Sequence, residues 1–128
     1  MAFVLGTNSR KNLKGVDAII YKIVTRGLEI SKYDFGIPGD GGIRTAQRQN
    51  ELFKQGVKQL DGYKKESYHQ TGRAFDVFGY LDGKANYEHI VMTHIAAALL
   101  QSASEFGVAL EWGGFWTSFV DMPHYQLG

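Results

Sequence analysis

A histidine and an aspartate lie seven residues apart, His69 and Asp76, in Ser67-Tyr68-His69-Gln70-Thr71-Gly72-Arg73-Ala74-Phe75-Asp76. A second acid and a second histidine follow near the C-terminus, in Asp121-Met122-Pro123-His124. Two imidazoles and one carboxylate can hold a zinc ion and leave its fourth position to water. A further carboxylate can take a proton from that water as it attacks a carbonyl and deliver it to the leaving nitrogen. The two segments therefore predict one hydrolytic metal site, with His69, Asp76 and His124 as ligands and Asp121 as base, provided that they meet in space. Taken alone, His69 and Asp76 suit a metal-free hydrogen-bonded pair better, and Asp121 suits a turn or a cap. His124 is the residue that turns the pair into a triad.

Other residues could serve such a site. Arg44, after Gly41-Gly42-Ile43, could polarise a scissile carbonyl or bind a substrate carboxylate, although an arbitrary arginine more often forms a surface salt bridge. Glu111 could support a ligand histidine or be a structural acid. Trp112, Phe115, Trp116, Phe119 and Tyr125 could wall a cleft or simply fill the core. His89 and His94 are five apart on a helix, face different ways, and read as ordinary helix residues. The chain has no His-Glu-x-x-His pair, no phosphate-binding loop and no Gly-x-Ser-x-Gly elbow.

The elements that must position these residues follow from apolar spacing. Leu13, Val16, Ile20, Ile23, Val24 and Leu28 form one stripe, which predicts a single helix over 10–30 with Ser9 as its cap. Lys22 and Arg26 suit its C-terminal half. A short strand over 33–37 precedes the Pro38-Gly42 turn region. Thr45 caps a helix over 46–55 that Gly56 stops, with Leu52 and Phe53 as core contacts. Residues 56–67 are a loop. Alternation over 73–78 predicts a strand, with Ala74, Asp76 and Phe78 on one face and Phe75 and Val77 on the other. An ionised Asp76 there is costly unless paired or bound to metal. Gly72 and Ala74 are small enough to pack closely around it. Tyr80–Lys84 is a tight turn. A helix over 86–106 points Ile90, Val91, Ile95, Ala98 and Leu99 inward and ends at Gly107. Strands over 108–112 and 122–127 complete an α+β arrangement, a small antiparallel sheet with flanking helices.

The 128 residues suit one domain, 1–128, with an ordinary hydrophobic content of 44%. A net charge of +1, with scattered cations, gives no footprint for nucleic acid. The absence of cysteine excludes disulfides and thiolate ligands. The longest apolar run, 95–100, is far too short to span a membrane, and the N-terminal apolar run is too short for a signal peptide.

Ser67-x-His69-x-x-Gly72-x-Ala74-x-Asp76 together with Asp121-x-x-His124 resembles the zinc signature of VanY-type D-alanyl-D-alanine carboxypeptidases and L-alanyl-D-glutamate endopeptidases. Trp112–Tyr125 and Gly42-Ile43-Arg44-Thr45-Ala46-Gln47 are similar to the endopeptidase branch, which includes many bacteriophage endolysins. The resemblance implies a Hedgehog/DD-peptidase-like fold. It implies zinc on His69, Asp76 and His124, Asp121 as general base and acid, Arg44 as oxyanion stabiliser and Ser67 as a substrate contact. Phe115 departs from relatives that carry an acid there. Carboxypeptidase relatives often have Glu at the base position, so Asp121 favours the endopeptidase. The implied protein is a monomeric endolysin acting on peptidoglycan, held in the host cytoplasm until lysis. A carboxypeptidase and a catalytically silent zinc module that binds wall peptides are the alternatives.

Overall fold

The single helix expected over 10–30 is two. The computed structural model describes residues 2–128; Met1, counted in the expected 1–128 domain, lies outside the described residues. Helix α1 (Thr7–Asn12) ends before Gly15, whose φ of +93° is left-handed. Helix α2 (Ala18–Ile30) restarts where the Asp17 carboxylate accepts the Ile19 N–H. The apolar stripe continues across this break because Leu13 and Val16 reach the same core from the connecting turn. Ser9 is not a cap. It is buried inside α1, and its hydroxyl accepts the Ile37 N–H.

The remaining elements are strand β1 (Asp34–Gly36), helix α3 (Ala46–Lys54), strands β2 (Ala74–Asp76), β3 (Phe78–Leu81) and β4 (Lys84–Asn86), helix α4 (His89–Glu105), and strands β5 (Leu110–Trp112) and β6 (His124–Leu127). α2 buries Ile20, Ile23, Val24 and Leu28 beside α4, which contributes Val91, Met92, Ile95 and Leu99. Fully burying a side chain of this kind contributes roughly 1.5–3 kcal/mol, so this helix pair is a major part of the core. The two helices approach so closely that a Cβ on Gly27 would lie 2.8 Å from a Leu99 methyl. No helix among the described residues is long and apolar enough to cross a membrane.

Two three-stranded antiparallel sheets replace the expected single one, in the orders β1-β3-β4 and β2-β6-β5. The strand expected over 73–78 is shared between them. Residues up to Asp76 pair with β6, the Val77 N–H donates to Pro123 O, and Phe78 opens β3 opposite Gly36. Asp82 and Gly83, both at positive φ, form the two-residue turn joining β3 to β4. This hairpin continues to Asn86, so α4 starts at His89, and the face of its first turn that enters the core carries Val91 and Met92. Ile90 is consequently exposed rather than inward-facing. Phe53 is also exposed, because α3 presents only the face of Gln49 and Leu52 inward.

The register of the second sheet creates the site. Asp76 pairs directly with His124, Ala74 with Gln126, and Glu111 with Gln126 on the other side. Side chains alternate along each strand. Asp76, His124, Gln126 and Glu111 therefore share one face, and Phe75, Tyr125 and Trp112 share the other. That second face is core: Phe75 stacks on Tyr125 at 5.1 Å, and Tyr125 on Trp112 at 6.4 Å.

Candidate metal centre

His69 stands on a single 3₁₀ turn (Tyr68–Thr71) whose start is fixed by reciprocal bonds. The His69 N–H donates to Ser67 Oγ (3.2 Å), and the Ser67 N–H donates to Gln70 Oε1 (2.9 Å). Gly72 ends the turn at φ +71°. Its small size is required by Gly15 and Val16, which a Cβ would crowd, and not by the ligand cluster as the sequence suggested. The Gly72 carbonyl also accepts the Asp17 N–H, tying the turn to the start of α2.

The Gly41-Gly42 segment sets both early candidate ligands, His69 and Asp76. Gly41 O accepts the Asp76 N–H at 2.8 Å, and Gly42 O accepts His69 Nδ1–H at 2.8 Å. That bond fixes the His69 tautomer and leaves Nε2 as an acceptor. Gly42 lies so close to α1 that an added Cβ would be 1.9 Å from Asn12 O. On the opposite ligand, His124 Nε2–H donates to Gln126 Oε1 (2.7 Å), and Gln126 Nε2 donates to Glu111 Oε2 (2.6 Å). The tautomer is set in the same way, and Nδ1 faces inward.

Three acceptor atoms thus converge. His124 Nδ1 is 3.1 Å and His69 Nε2 is 3.3 Å from Asp76 Oδ1, and the two nitrogens are 3.3 Å apart. Ligands at about 2.0–2.1 Å from a tetrahedral ion are separated by roughly 3.3 Å, so the triangle fits one face of such a site. All three residues are buried, and among the described residues theirs is the group of acids and histidines close enough to hold a metal ion. Burial acts to raise the Asp76 pKa, but hydrogen bonding to the His124 and His69 rings, which a proton on either ring supplies while no ion is bound, outweighs it and holds the carboxyl well below its usual range. It is therefore an anion, as a ligand must be.

Asp76 Oδ2 is held by Arg44 Nη2 at 3.0 Å. The buried Arg44 guanidinium also donates to Asp40 O (2.9 Å) and to Gln49 Oε1 (3.0 Å). This arginine is built into the site rather than paired on the surface. Asp121 lies in the same cleft of about 450 Å³ as His69, His124, Arg44 and Ser67. Its backbone is pinned on both sides, its N–H to Gly113 O (3.0 Å) and its carbonyl to the His124 N–H (3.1 Å). Trp116 packs over the His124 ring at 5.3 Å, while Phe119 and Val120 form an exposed rim. Phe115 meets Trp112 edge-on at 4.9 Å and is largely exposed. His94 packs edge-on against Tyr33 at 5.6 Å, in keeping with an ordinary helix residue.

The phage L-alanyl-D-glutamate peptidase family model matches residues 1–126. The chain belongs to this family. It is 34% identical over 122 residues to the L-alanyl-D-glutamate peptidase of Escherichia phage T5, covering 94% of this chain and 87% of that protein. Against the L-alanyl-D-glutamate peptidase of Listeria phage A118 it is 30% identical over 103 residues, covering 80% of this chain and 32% of that protein. The crystal structure of the L-Ala D-Glu endopeptidase ChiX of Serratia marcescens superimposes with a TM-score of 0.87 at 31% identity, over 99% of this chain and 91% of that one. The α+β fold is thus shared with that endopeptidase.

All six site residues expected from the sequence, His69, Asp76, His124, Asp121, Arg44 and Ser67, occupy this one region of the peptidase. Two glutamines were missed. Gln126 had a readable signal, since it lies two residues after His124 on a strand and must share its face. Gln49, which links Arg44 to Leu60 O, had none. Glu111 reaches His124 through Gln126 rather than directly. Replacing Gln126 with leucine is expected to weaken metal affinity about 10- to 100-fold, as read by competition with a chromogenic chelator. Unchanged affinity would deny Gln126 any orienting role.

Proposed function

We propose that this peptidase hydrolyses the L-alanyl–D-glutamate bond of peptidoglycan stem peptides, with zinc held by His69, Asp76 and His124. The carrying observation is that the three converging acceptors and the Asp121 carboxylate share one cleft in a member of this family. The nitrogen and oxygen donor set suits zinc. Bound there, zinc would supply Lewis acidity and lower the pKa of its water to about 7. Asp121 takes the proton released as water attacks the alanyl carbonyl and returns it to the glutamyl nitrogen as the C–N bond breaks. Arg44, locked by Asp40, Gln49 and Asp76, is a fixed positive charge beside the oxyanion that develops. Ser67 caps the turn that carries His69 and offers its hydroxyl to the substrate from the cleft wall. The protein acts as a monomeric endolysin, held in the host cytoplasm until lysis.

Mass spectrometry of digested peptidoglycan tests this reading. New N-terminal D-glutamate that disappears when a chelator is added is the expected product. Free D-alanine with intact stems would replace the endopeptidase by a carboxypeptidase. Binding to wall material without any cleavage would replace it by a silent module.

A further inference from the structure

Every contact of Arg44 described above holds the site together. Among the residues lining the cleft, the remaining lysine or arginine is Lys58. It lies on the loop after α3, four residues beyond the helix end, and its N–H donates to Leu52 O. Two residues later the loop is anchored, because Leu60 O accepts Gln49 Nε2 at 2.8 Å. The loop that carries Lys58 is thus tied, at Leu60, to the same glutamine that braces Arg44, while the Lys58 side chain lines the cleft.

The Lys58 ammonium lies 3.7 Å from Asp76 Oδ2 and 3.9 Å from Asp121 Oδ2. Both distances exceed hydrogen-bonding range, so neither carboxylate saturates any of its three donors. Asp76 Oδ2 already accepts from Arg44. A divalent cation on the triad would offset the Asp76 charge and repel the ammonium, favouring an anion brought by the ligand. The side chain is 26% exposed, open enough to move and enclosed enough for a charge-assisted bond to matter.

We infer that Lys58 is the specificity-determining residue that binds the free carboxylate of the glutamyl residue on the leaving side of the scissile bond. This rests on the endopeptidase reading. Glutamate has two carboxyl groups and only one can continue the chain, so the residue that supplies the leaving nitrogen brings a second, free anion unless that carboxyl is amidated. That anion follows the scissile nitrogen closely. Lys58 stands 3.9 Å from Asp121, the carboxylate that serves that nitrogen. Lys58 selects an acidic residue there, and Arg44 keeps the ligand carboxylate in place.

The test uses the zinc-loaded full chain and two synthetic stem peptides, one with this glutamyl carboxyl free and one with it converted to the primary amide. The wild-type enzyme is expected to prefer the free acid by about 10- to 100-fold in kcat/KM, the range for a hydrogen bond to a charged group. Lys58→Gln brings that ratio close to one, mainly through KM, and Lys58→Arg keeps most of the preference. A ratio unchanged in Lys58→Gln overturns the assignment. So does an equal loss on both peptides, which would place Lys58 on Asp121 or Asp76 alone. Wild-type enzyme that cuts neither peptide overturns the endopeptidase reading itself, a result distinct from cleavage of both with a preference indifferent to Lys58.

Discussion

Asp121→Asn is expected to lower kcat by about 10²- to 10⁴-fold while stoichiometric metal stays bound. Asparagine keeps the shape, and the residue's two anchors to Gly113 and His124 are backbone bonds that the change leaves alone. Asp121 is not among the three converging ligand atoms, so the metal should survive. What is lost is the group that accepts one proton and delivers another. KM should change far less than kcat, since proton transfer belongs to the transition state. Steady-state kinetics on a stem peptide, paired with elemental analysis of the purified variant, separates the outcomes. Near-normal turnover would remove Asp121 from the reaction. Loss of metal would make it a structural residue.

Chelation is expected to abolish turnover and to lower the melting temperature by on the order of 10 °C, with both restored by zinc. A metal at about 100 times its dissociation constant contributes ~2.7 kcal/mol to the folded state, and each kcal/mol is worth a few degrees in a domain of this size. Removing the ion also leaves three acceptors facing one another at 3.1–3.3 Å. A proton is then the available substitute. Burial acts to lower the His124 pKa, but the hydrogen bond and charge of Asp76 outweigh it and the net shift is upward. Protons therefore compete for His124 from a higher pH than for an ordinary histidine, and metal affinity falls as the solution is acidified. His69→Ala should reproduce the loss of activity without rescue by zinc. Full activity in excess chelator, with metal shown to be absent, would sink the metallopeptidase mechanism. Rescue by another divalent ion but not by zinc would correct only the metal.

The meeting of His69, Asp76 and His124 could be expected from the sequence because the chemistry of a metal site is carried by residue type. His69 and Asp76 alone, or Asp121 alone, have ordinary structural readings, and His124 beside them is what pointed to a metal site. Alternation over 73–78 correctly put Asp76 opposite in face to Phe75 and Val77. The periodicity could not reveal that this run changes sheets at Val77, since a strand's side-chain pattern is the same whichever partner it pairs with. The break between α1 and α2 was hidden for a related reason: Leu13 and Val16 keep the helical stripe although Gly15 ends the helix. Arg44 showed its position but not its partners: Asp76 comes to it only through tertiary packing, and Asp40 O and Gln49, although near in sequence, are aimed at it by the irregular turn before α3. Lys58 gave no signal at all, being one lysine in a polar loop.

The passage of one short chain segment through both sheets has a consequence for how the molecule opens. Asp76 and Phe78 are two residues apart, yet one faces His124 across the second sheet and the other pairs with Gly36 in the first. Releasing either sheet drags Asp76 out of register, so neither can fray as an independent foldon while the ligand set stays whole. Metal binding should therefore slow amide hydrogen exchange in β1, β3 and β4 nearly as much as in β2 and β6, protecting a hairpin that touches no ligand.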